Sequence, residues 1–290
     1  MVEASKYQIS IQSLDSRFCD LKNNVNSEFR IRLPMPLKNV IRIRLASVEL
    51  PLVEHNFSAS RGNDTFSIKI ANGVRFIQSG RVPAGNYTAS TLVAAIQRLL
   101  QNIHSSFTCV LNPISGFITI SNSVIPFIID FSSLISDIAN RPTHWGLGYY
   151  IGFRETIVTS VYNATTSTYS VSTGSVINVQ GTPYYLIELK CPDKVVNVTH
   201  RTGSDSYVDA FAKIVLKDNY YQLQFDDGSN LMRKEYTFIS PVSIPFFQLS
   251  ILDPWGKLVN MLDADWSVTL EVTEIVNSNT YKQLAMGFQK

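Results

Sequence analysis

The chain has 290 residues, of which 45% are hydrophobic and only 17% are charged, with a net charge of +2. This length is enough for one large or two smaller domains with sizeable cores. The near-neutral charge excludes the global basic signature of a non-specific nucleic-acid binder. Neutral polar groups cost less to desolvate than charged ones, so the composition favours extensive protein contacts, although it is also common in all-β proteins.

The cysteines favour a reducing compartment. Cys19, Cys109 and Cys191 lie far apart and are odd in number, which outlines neither a disulfide framework nor a zinc site. We therefore expect reduced thiols. The first residues, MVEASKYQIS, contain no apolar run, so we expect no secretory signal, and no run reaches the ~20 apolar residues of a membrane span.

Alternation of apolar and polar residues with period two runs through the first fifty residues. Tyr7, Ile9 and Ile11 alternate with polar residues and predict a first short strand. Residues 29–51, FRIRLPMPLKNVIRIRLASVELP, hold two longer alternating runs in which arginines occupy polar positions. Each run is typical of a half-buried antiparallel strand with one apolar face and one wet face.

Two interruptions are expected in this pair of strands. Pro34 and Pro36 remove ladder donors between the runs, so we expect the chain to leave the sheet there. After Leu45 the apolar positions change parity, and a regular strand cannot bury both sets on one face. The sequence therefore predicts a bulge or bend near Ala46 and Ser47.

The middle of the chain predicts a small α+β unit. An apolar stripe at helical spacing predicts a helix at about residues 88–103, with Thr88 or Ser90 as its N-cap. Strands are predicted around this helix at residues 66–70, 74–77, 107–111, 117–120 and, broken by a proline, 124–131.

The remaining sequence favours short strands. Residues 144–154, HWGLGYYIGFR, miss the G-x-G-x-x-G spacing by one residue, and we expect a glycine-rich turn with packed aromatics and no helix. Residues 156–181 fit either edge strands or a mobile surface loop. Alternating runs then predict strands within residues 185–189, 214–216, 221–225, 236–238, 247–251 and 266–272.

Many strands with short turns and no repeat period argue for a Greek-key or jelly-roll sandwich. We therefore predict a mainly β fold, a jelly-roll β-sandwich with a small inserted α+β subdomain. The jelly roll is predicted to comprise residues 1–65 and 141–290, and the inserted subdomain residues 66–140.

The sequence predicts no catalytic, cofactor-binding or metal-binding residues, and hence no enzyme. The four histidines are isolated from carboxylates and from one another: His55, His104, His144 and His200. Three aspartates near the carboxyl end do not match an EF-hand and fit ordinary turn chemistry: Asp253, Asp263 and Asp265. No nucleophile elbow, Walker A or zincin string is present.

One set of cations is a candidate contact surface. If the two predicted strands are neighbours, their outward positions form one basic facet: Arg30, Arg32, Lys38, Arg42 and Arg44. Such a facet would face acidic protein, lipid headgroups or packaged nucleic acid. The alternative is a solvated strand face whose charges protect a sheet edge.

Several segments together resemble the minor capsid and penton-type jelly-roll proteins of large icosahedral double-stranded DNA viruses, the nucleocytoplasmic large DNA viruses. The segments that carry the resemblance are LDSRF at 14–18, the strand pair at 29–51, GNYTASTLVAAIQRLL at 85–100, LGYYIGFR at 147–154 and the ending at 238–272. The resemblance implies a jelly roll, sometimes with an inserted subdomain, built into a capsid shell. It implies no enzymatic residues.

On this basis we expect a structural protein of an icosahedral capsid, a minor capsid or penton-like subunit located in the virion and assembled in the host cytoplasm. Expected partners are the major capsid protein, minor capsid proteins and further copies of the chain, with an internal membrane or acidic partner at the basic facet and no sequence-specific nucleic acid. The alternative is a glycan-binding jelly-roll module with Trp145, Trp255 or Tyr149 as stacking platforms. A sandwich-fold hydrolase is disfavoured because no paired carboxylates stand out.

Overall fold

A computed structural model describes most of the chain. The described residues are 7–21, 26–70, 77–131, 146–190, 194–195, 199–201, 207–217, 220–227 and 234–276. Across these ranges, the structure has no helix of the length and apolarity that a membrane span requires.

Strands dominate the described residues. In chain order they are β1 (Tyr7–Asp15), β2 (Asp20–Leu21), β3 (Glu28–Pro51), β4 (Thr65–Ile70), β5 (Ile77–Arg81), β6 (Phe107–Leu111), β7 (Ile118–Asn122), β8 (Phe127–Asp130), β9 (Ile157–Thr159), β10 (Val161–Asn163), β11 (Thr168–Ser172), β12 (Tyr184–Leu189), β13 (Lys194–Val195), β14 (Thr199–Arg201), β15 (Tyr207–Asp209), β16 (Ala212–Val215), β17 (Leu223–Asp226), β18 (Glu235–Leu252) and β19 (Ser267–Ile275). The α-helices are α1 (Ala89–Ile103) and α2 (Leu147–Ile151), and short 3-10 helices cover Ser16–Phe18 and Ala59–Arg61.

The chain divides into two compact units. The first comprises Met1–Glu54 and Thr182–Lys290, and the second comprises His55–Gly181. The sequence-based division, 66–140 within 1–65 and 141–290, differs from this one at both boundaries. The reason lies in the flanking segments, because Phe57 packs in the second core and strands β9 and β11 pair with β8 and β7 of that unit.

The first unit is organised around two long strands, β3 and β18, which pair along their bent lengths. The second half of β3 belongs to a layer with the strand order β1-β19-β3-β18. Its first half belongs to the other layer, with the strand order β3-β18-β12-β16. Buried residues of both layers form one core, which includes Phe29, Ile43, Tyr236, Phe247 and Trp266. The short strands β2, β13 and β17 also pair with β3 or β18. Antiparallel layers that enclose one core are typical of a jelly-roll sandwich, so the predicted mainly β fold class is confirmed.

The predicted bulge in β3 is confirmed. Leu45 pairs with Leu270 of β19 and Ser47 pairs with Thr269, so Ala46 is the extra residue between them. The bulge restores the parity that keeps Val48 inside the core together with Leu45.

The two predicted runs form one continuous strand, β3, rather than two separate strands. The ladder is nevertheless interrupted at the prolines, because Leu37 pairs with Ile244 of β18 and the next pair is Arg32 with Phe246. Residues 33–36 therefore have no partner in the β3–β18 ladder, and Met35 between the two prolines is 80% exposed.

The second unit contains two four-stranded sheets with α1 and α2. The sheet orders are β5-β4-β8-β9 and β10-β11-β7-β6. The predicted helix is confirmed as α1, with Thr88 as N-cap in a capping box with Thr91. Its buried stripe consists of Leu92, Val93, Ile96 and Leu100.

The expectation of a turn without a helix at residues 144–154 is wrong, because α2 occupies Leu147–Ile151. A Cβ at Gly148 would lie 2.6 Å from the Phe131 ring, so glycine there lets the helix approach that ring closely. Gly152, at φ +106°, ends the helix. The expected aromatic packing is present, since Tyr150 and Phe153 are buried in the second core.

Of the segment 156–181, parts of residues 157–172 form strands, and residues 173–181 form none. β9 lies at the edge of one sheet, β10 lies at the edge of the other, and β11 lies inside the second sheet. The predicted return strand at 74–77 lies mostly outside the described residues, and β5 covers Ile77–Arg81 instead.

Candidate interaction surfaces

Strand β1 carries its large apolar side chains on the outside of the sandwich. Tyr7, Ile9 and Ile11 are 58%, 58% and 59% exposed. Ile9 and Ile11 lie opposite Thr273 and Glu271 of β19, which alternate along that strand with the core residues Leu270 and Val272. Thr273 is itself buried, as is Ile275, which lies opposite Tyr7. We call Tyr7, Ile9 and Ile11 the β1 apolar row.

Strand β17 also carries its apolar side chains on the outside. It pairs with β3 on the side away from β19 and β1. Leu223 and Phe225 are each 57% exposed and lie opposite Pro51 and Glu49 of β3. The alternating positions, Gln224 and Asp226, point inward and are buried. Asp226 is held there by an ion pair with buried Lys234 at 2.5 Å, and Gln224 Oε1 accepts a hydrogen bond from the Lys217 backbone N–H at 2.8 Å.

Charges of both signs lie between these two apolar edges. Arg42 contacts Glu271 at 3.3 Å. Arg44 lies opposite Glu271 on one side and Glu235 on the other. This part of the outer face therefore alternates in sign instead of being uniformly basic.

The other predicted cations lie elsewhere. Arg30 and Arg32 belong to the first half of β3, on the outside of the other layer. The Arg30 guanidinium lies 3.7 Å from the centre of the Phe246 ring. Lys38 is exposed beside the interrupted ladder, next to Asn39 at φ +56°. The structure thus does not bring the five cations onto one facet, and contact with an acidic partner stays a prediction for each group.

An open cavity of about 220 Å³ lies at one end of the β1-β19-β3 face, lined by Asp15, Arg17, Glu49, Leu223, Asp265, Trp266 and Ser267. Its carboxylates already accept hydrogen bonds. Arg17 donates to Asp15 and holds the pKa of Asp15 below its ordinary value. Ser267 donates to Glu49, and Ser16 donates to Asp265 at 3.2 Å. The carboxylates of this lining are therefore already paired with neighbouring side chains.

The residues weighed for chemistry have structural surroundings. Within the described residues no group of three or more His, Cys, Asp or Glu side chains is placed to hold a metal ion. Asp253 accepts the backbone N–H groups of Trp255 and Lys257 at 2.8 and 3.0 Å, as turn chemistry requires. His104 Nδ1 lies 2.6 Å from Ser106 Oγ, and His144 lies outside the described residues.

Two cysteines are free thiols with low reactivity. Burial raises the pKa of Cys19 to about 11 and that of Cys109 to about 12. Cys191 lies outside the described residues.

The aromatic residues considered for glycan stacking are not open platforms in the part of the chain that the structure describes. Trp255 and Tyr149 are half-buried, and the Arg154 guanidinium lies 4.4 Å from the Tyr149 ring centre. Trp145 lies outside the described residues.

The chain is similar to known proteins in structure and not in sequence. No family model matches the chain, and no curated protein matches it. Its structure is similar to the crystal structure of the selenomethionine-labelled mavirus penton protein, at 10% identity and a TM-score of 0.47, with 92% of this chain and 99% of that chain covered. The fold class follows from the strand pairing itself.

Proposed function

We propose that this chain is a structural protein of an icosahedral virus capsid, a minor capsid or penton-like subunit that acts through protein–protein contacts. The observation that carries the proposal is the β1 apolar row on the outer face of a jelly-roll layer. Three adjacent outward positions of one strand are large, apolar and more than half exposed. Such a row favours burial against another protein, whereas scattered single apolar residues need no partner.

The surrounding face supports the same proposal. Leu223 and Phe225 add apolar surface at its other edge, and the charges between the edges alternate in sign. Alternating charges provide specificity and register in a protein contact. Jelly rolls occur in viral capsids and in lectins, so the fold alone does not choose between these functions.

The proposed partners are the major capsid protein, minor capsid proteins and further copies of the chain. The proposed location is the virion, after assembly in the host cytoplasm. The cations proposed to contact an acidic partner or an internal membrane are exposed Arg32, Lys38 and Arg44 and half-buried Arg30 and Arg42. The proposal includes no sequence-specific nucleic-acid contact and no enzymatic step.

Quantitative mass spectrometry of gradient-purified virions tests this function. We expect the chain at a constant ratio to the major capsid protein across the particle fractions, and we expect it to remain after a high-salt wash. Absence from the particles, or removal by the wash, would overturn the capsid role. A sugar-dependent change in tryptophan fluorescence of the isolated chain would instead support the glycan-binding alternative.

A further inference from the structure

Two long segments of the sequence contain no Asp, Glu, Lys or Arg. They are residues 99–129 and 156–187. In the second unit the two segments meet, because the first supplies β6 and β7 and the second supplies β10 and β11 of one sheet. A whole four-stranded sheet is therefore built from charge-free sequence.

One side of this sheet faces the second core, and the other side faces solvent. Cys109, Ile118, Ile120 and Val171 point inward and are buried. The alternating positions form two outward rows across the strands, Val110–Thr119–Ser172 and Thr108–Ser121–Ser170. We call these two rows the hydroxyl face.

The hydroxyl face is inexpensive to desolvate. Thr108 and Ser121 hydroxyls lie 2.7 Å apart, and those of Thr119 and Ser172 lie 2.9 Å apart, so part of their hydrogen bonding is satisfied within the sheet. Val110 is 57% exposed. A contact here removes apolar surface and paired hydroxyls from water. Because the face has no Asp, Glu, Lys or Arg, the contact buries no charge of this face that would need a counter-ion.

The apolar surface continues from the hydroxyl face to one end of the sheet. Ile114 in the β6–β7 turn is 96% exposed. Val176 is 57% exposed and lies beside this turn, since a Cβ at Gly116 would lie 3.4 Å from its side chain. With strands of about 17 Å spaced about 4.8 Å apart, the face and turn present on the order of 400–500 Å².

We propose that the hydroxyl face packs against the hydroxyl face of a second copy of this chain. A charged partner surface would bury its ions against a face that offers no counter-charge, which is unfavourable. A charge-free face is complementary to itself, and an isologous pair places the same rows opposite each other at the usual sheet spacing of about 10 Å. This inference deepens the proposed function, because it names a surface through which copies of the subunit associate.

The size of the face sets the strength of the contact. Two such faces bury about 800–1,000 Å² in total, below the standard size of a stable interface. We therefore expect a weak dimer, with a Kd on the order of 0.1 mM, which gains effect where several contacts act together in an assembly.

Sedimentation analysis of the full chain over a concentration series tests the proposal. The variant Thr108→Lys/Ser172→Lys places like charges opposite each other, and we expect its Kd to rise at least about tenfold. The matched control Ala94→Lys/Asn102→Lys adds the same charge at exposed positions of α1 and is expected to leave the Kd unchanged. Mixing the lysine variant with Thr108→Glu/Ser172→Glu is expected to restore association, which also shows that both variants fold.

The proposal is overturned if the wild-type chain stays monomeric to about 1 mM, tenfold above the expected Kd. Association that the lysine variant leaves unchanged, or that the mixture does not restore, would also overturn it. If the wild-type chain is monomeric and the lysine variant is excluded from particles, the hydroxyl face binds a different partner. In that case the capsid role stands. Virion mass spectrometry tests that role independently.

Discussion

The double substitution Ile9→Thr/Ile11→Thr in the β1 apolar row is expected to weaken assembly and leave folding intact. Both isoleucines are more than half exposed, so their removal creates no cavity in the core. Threonine keeps β-branching and the propensity for a strand that pairs with β19. The stability of the isolated protein therefore stays near the wild-type value, while a contact that buries this row loses apolar surface.

The size of the loss follows from the exposed fractions. Full burial of an isoleucine side chain contributes about 1.5–3 kcal/mol. Ile9 and Ile11 are 58% and 59% exposed, so this share of the effect is still available for an intermolecular contact. The two residues together then contribute roughly 1.8–3.5 kcal/mol to binding, which corresponds to an affinity loss of about 20- to 300-fold.

Particle incorporation measures this loss. Particles assembled with wild-type or variant chain are purified, and copies per major capsid protein are counted by quantitative mass spectrometry. Ile157→Thr in the second unit is a matched control, since Ile157 is 54% exposed outside the row. Incorporation of the double variant at the wild-type level, with a Tm within about 2 °C of wild type, would refute the contact.

Three further predictions concern charges and a thiol. Replacing Arg42 and Arg44 by Gln is expected to lower the free energy of unfolding by less than about 1 kcal/mol, because a partly exposed surface ion pair contributes little to stability. The same change is expected to lower particle incorporation, and unchanged incorporation would mean that this face is merely solvated. Burial raises the pKa of Glu274, so the folded protein loses stability as pH rises above the ordinary carboxyl range. Glu274→Gln is therefore expected to raise the Tm at about pH 7 but not at about pH 4. An equal shift at both pH values would contradict this titration. Cys109, with a pKa raised to about 12, is expected to react with iodoacetamide only on unfolding, and peptide mapping that finds rapid labelling of the folded chain would count against its burial.

Local patterns with a single physical solution were predictable from the sequence. The parity change after Leu45 admits only an extra residue, and the structure places that residue at Ala46. The stripe from Leu92 to Leu100 fits only a helix, and Thr88 caps it. In both cases neighbouring residues determine the geometry.

The orientation of the edge strands could not be read from alternation. Tyr7, Ile9 and Ile11 predict a strand, and β1 exists, but period two does not say which face is buried. In β17 the polar positions turn inward because Asp226 finds Lys234 there. Only long-range partners decide such cases.

The predicted basic facet depended on a similar long-range fact. The prediction requires the cations to lie on two neighbouring strands, but Arg30 and Arg44 lie in different layers along one bent strand. The unit boundary at Glu54 likewise depends on packing with residues far away in the chain. The charge-free segments were visible in the sequence, but their meeting in one sheet required the structure.

Hydroxyl-radical footprinting of Tyr7, Ile9 and Ile11, in purified particles and in the isolated chain, tests most directly whether this protein works by burying surface against neighbours. All three side chains are more than half exposed in the isolated chain and are expected to be labelled readily there. The account predicts strong protection of all three in the particle. Equal labelling in both states would contradict it.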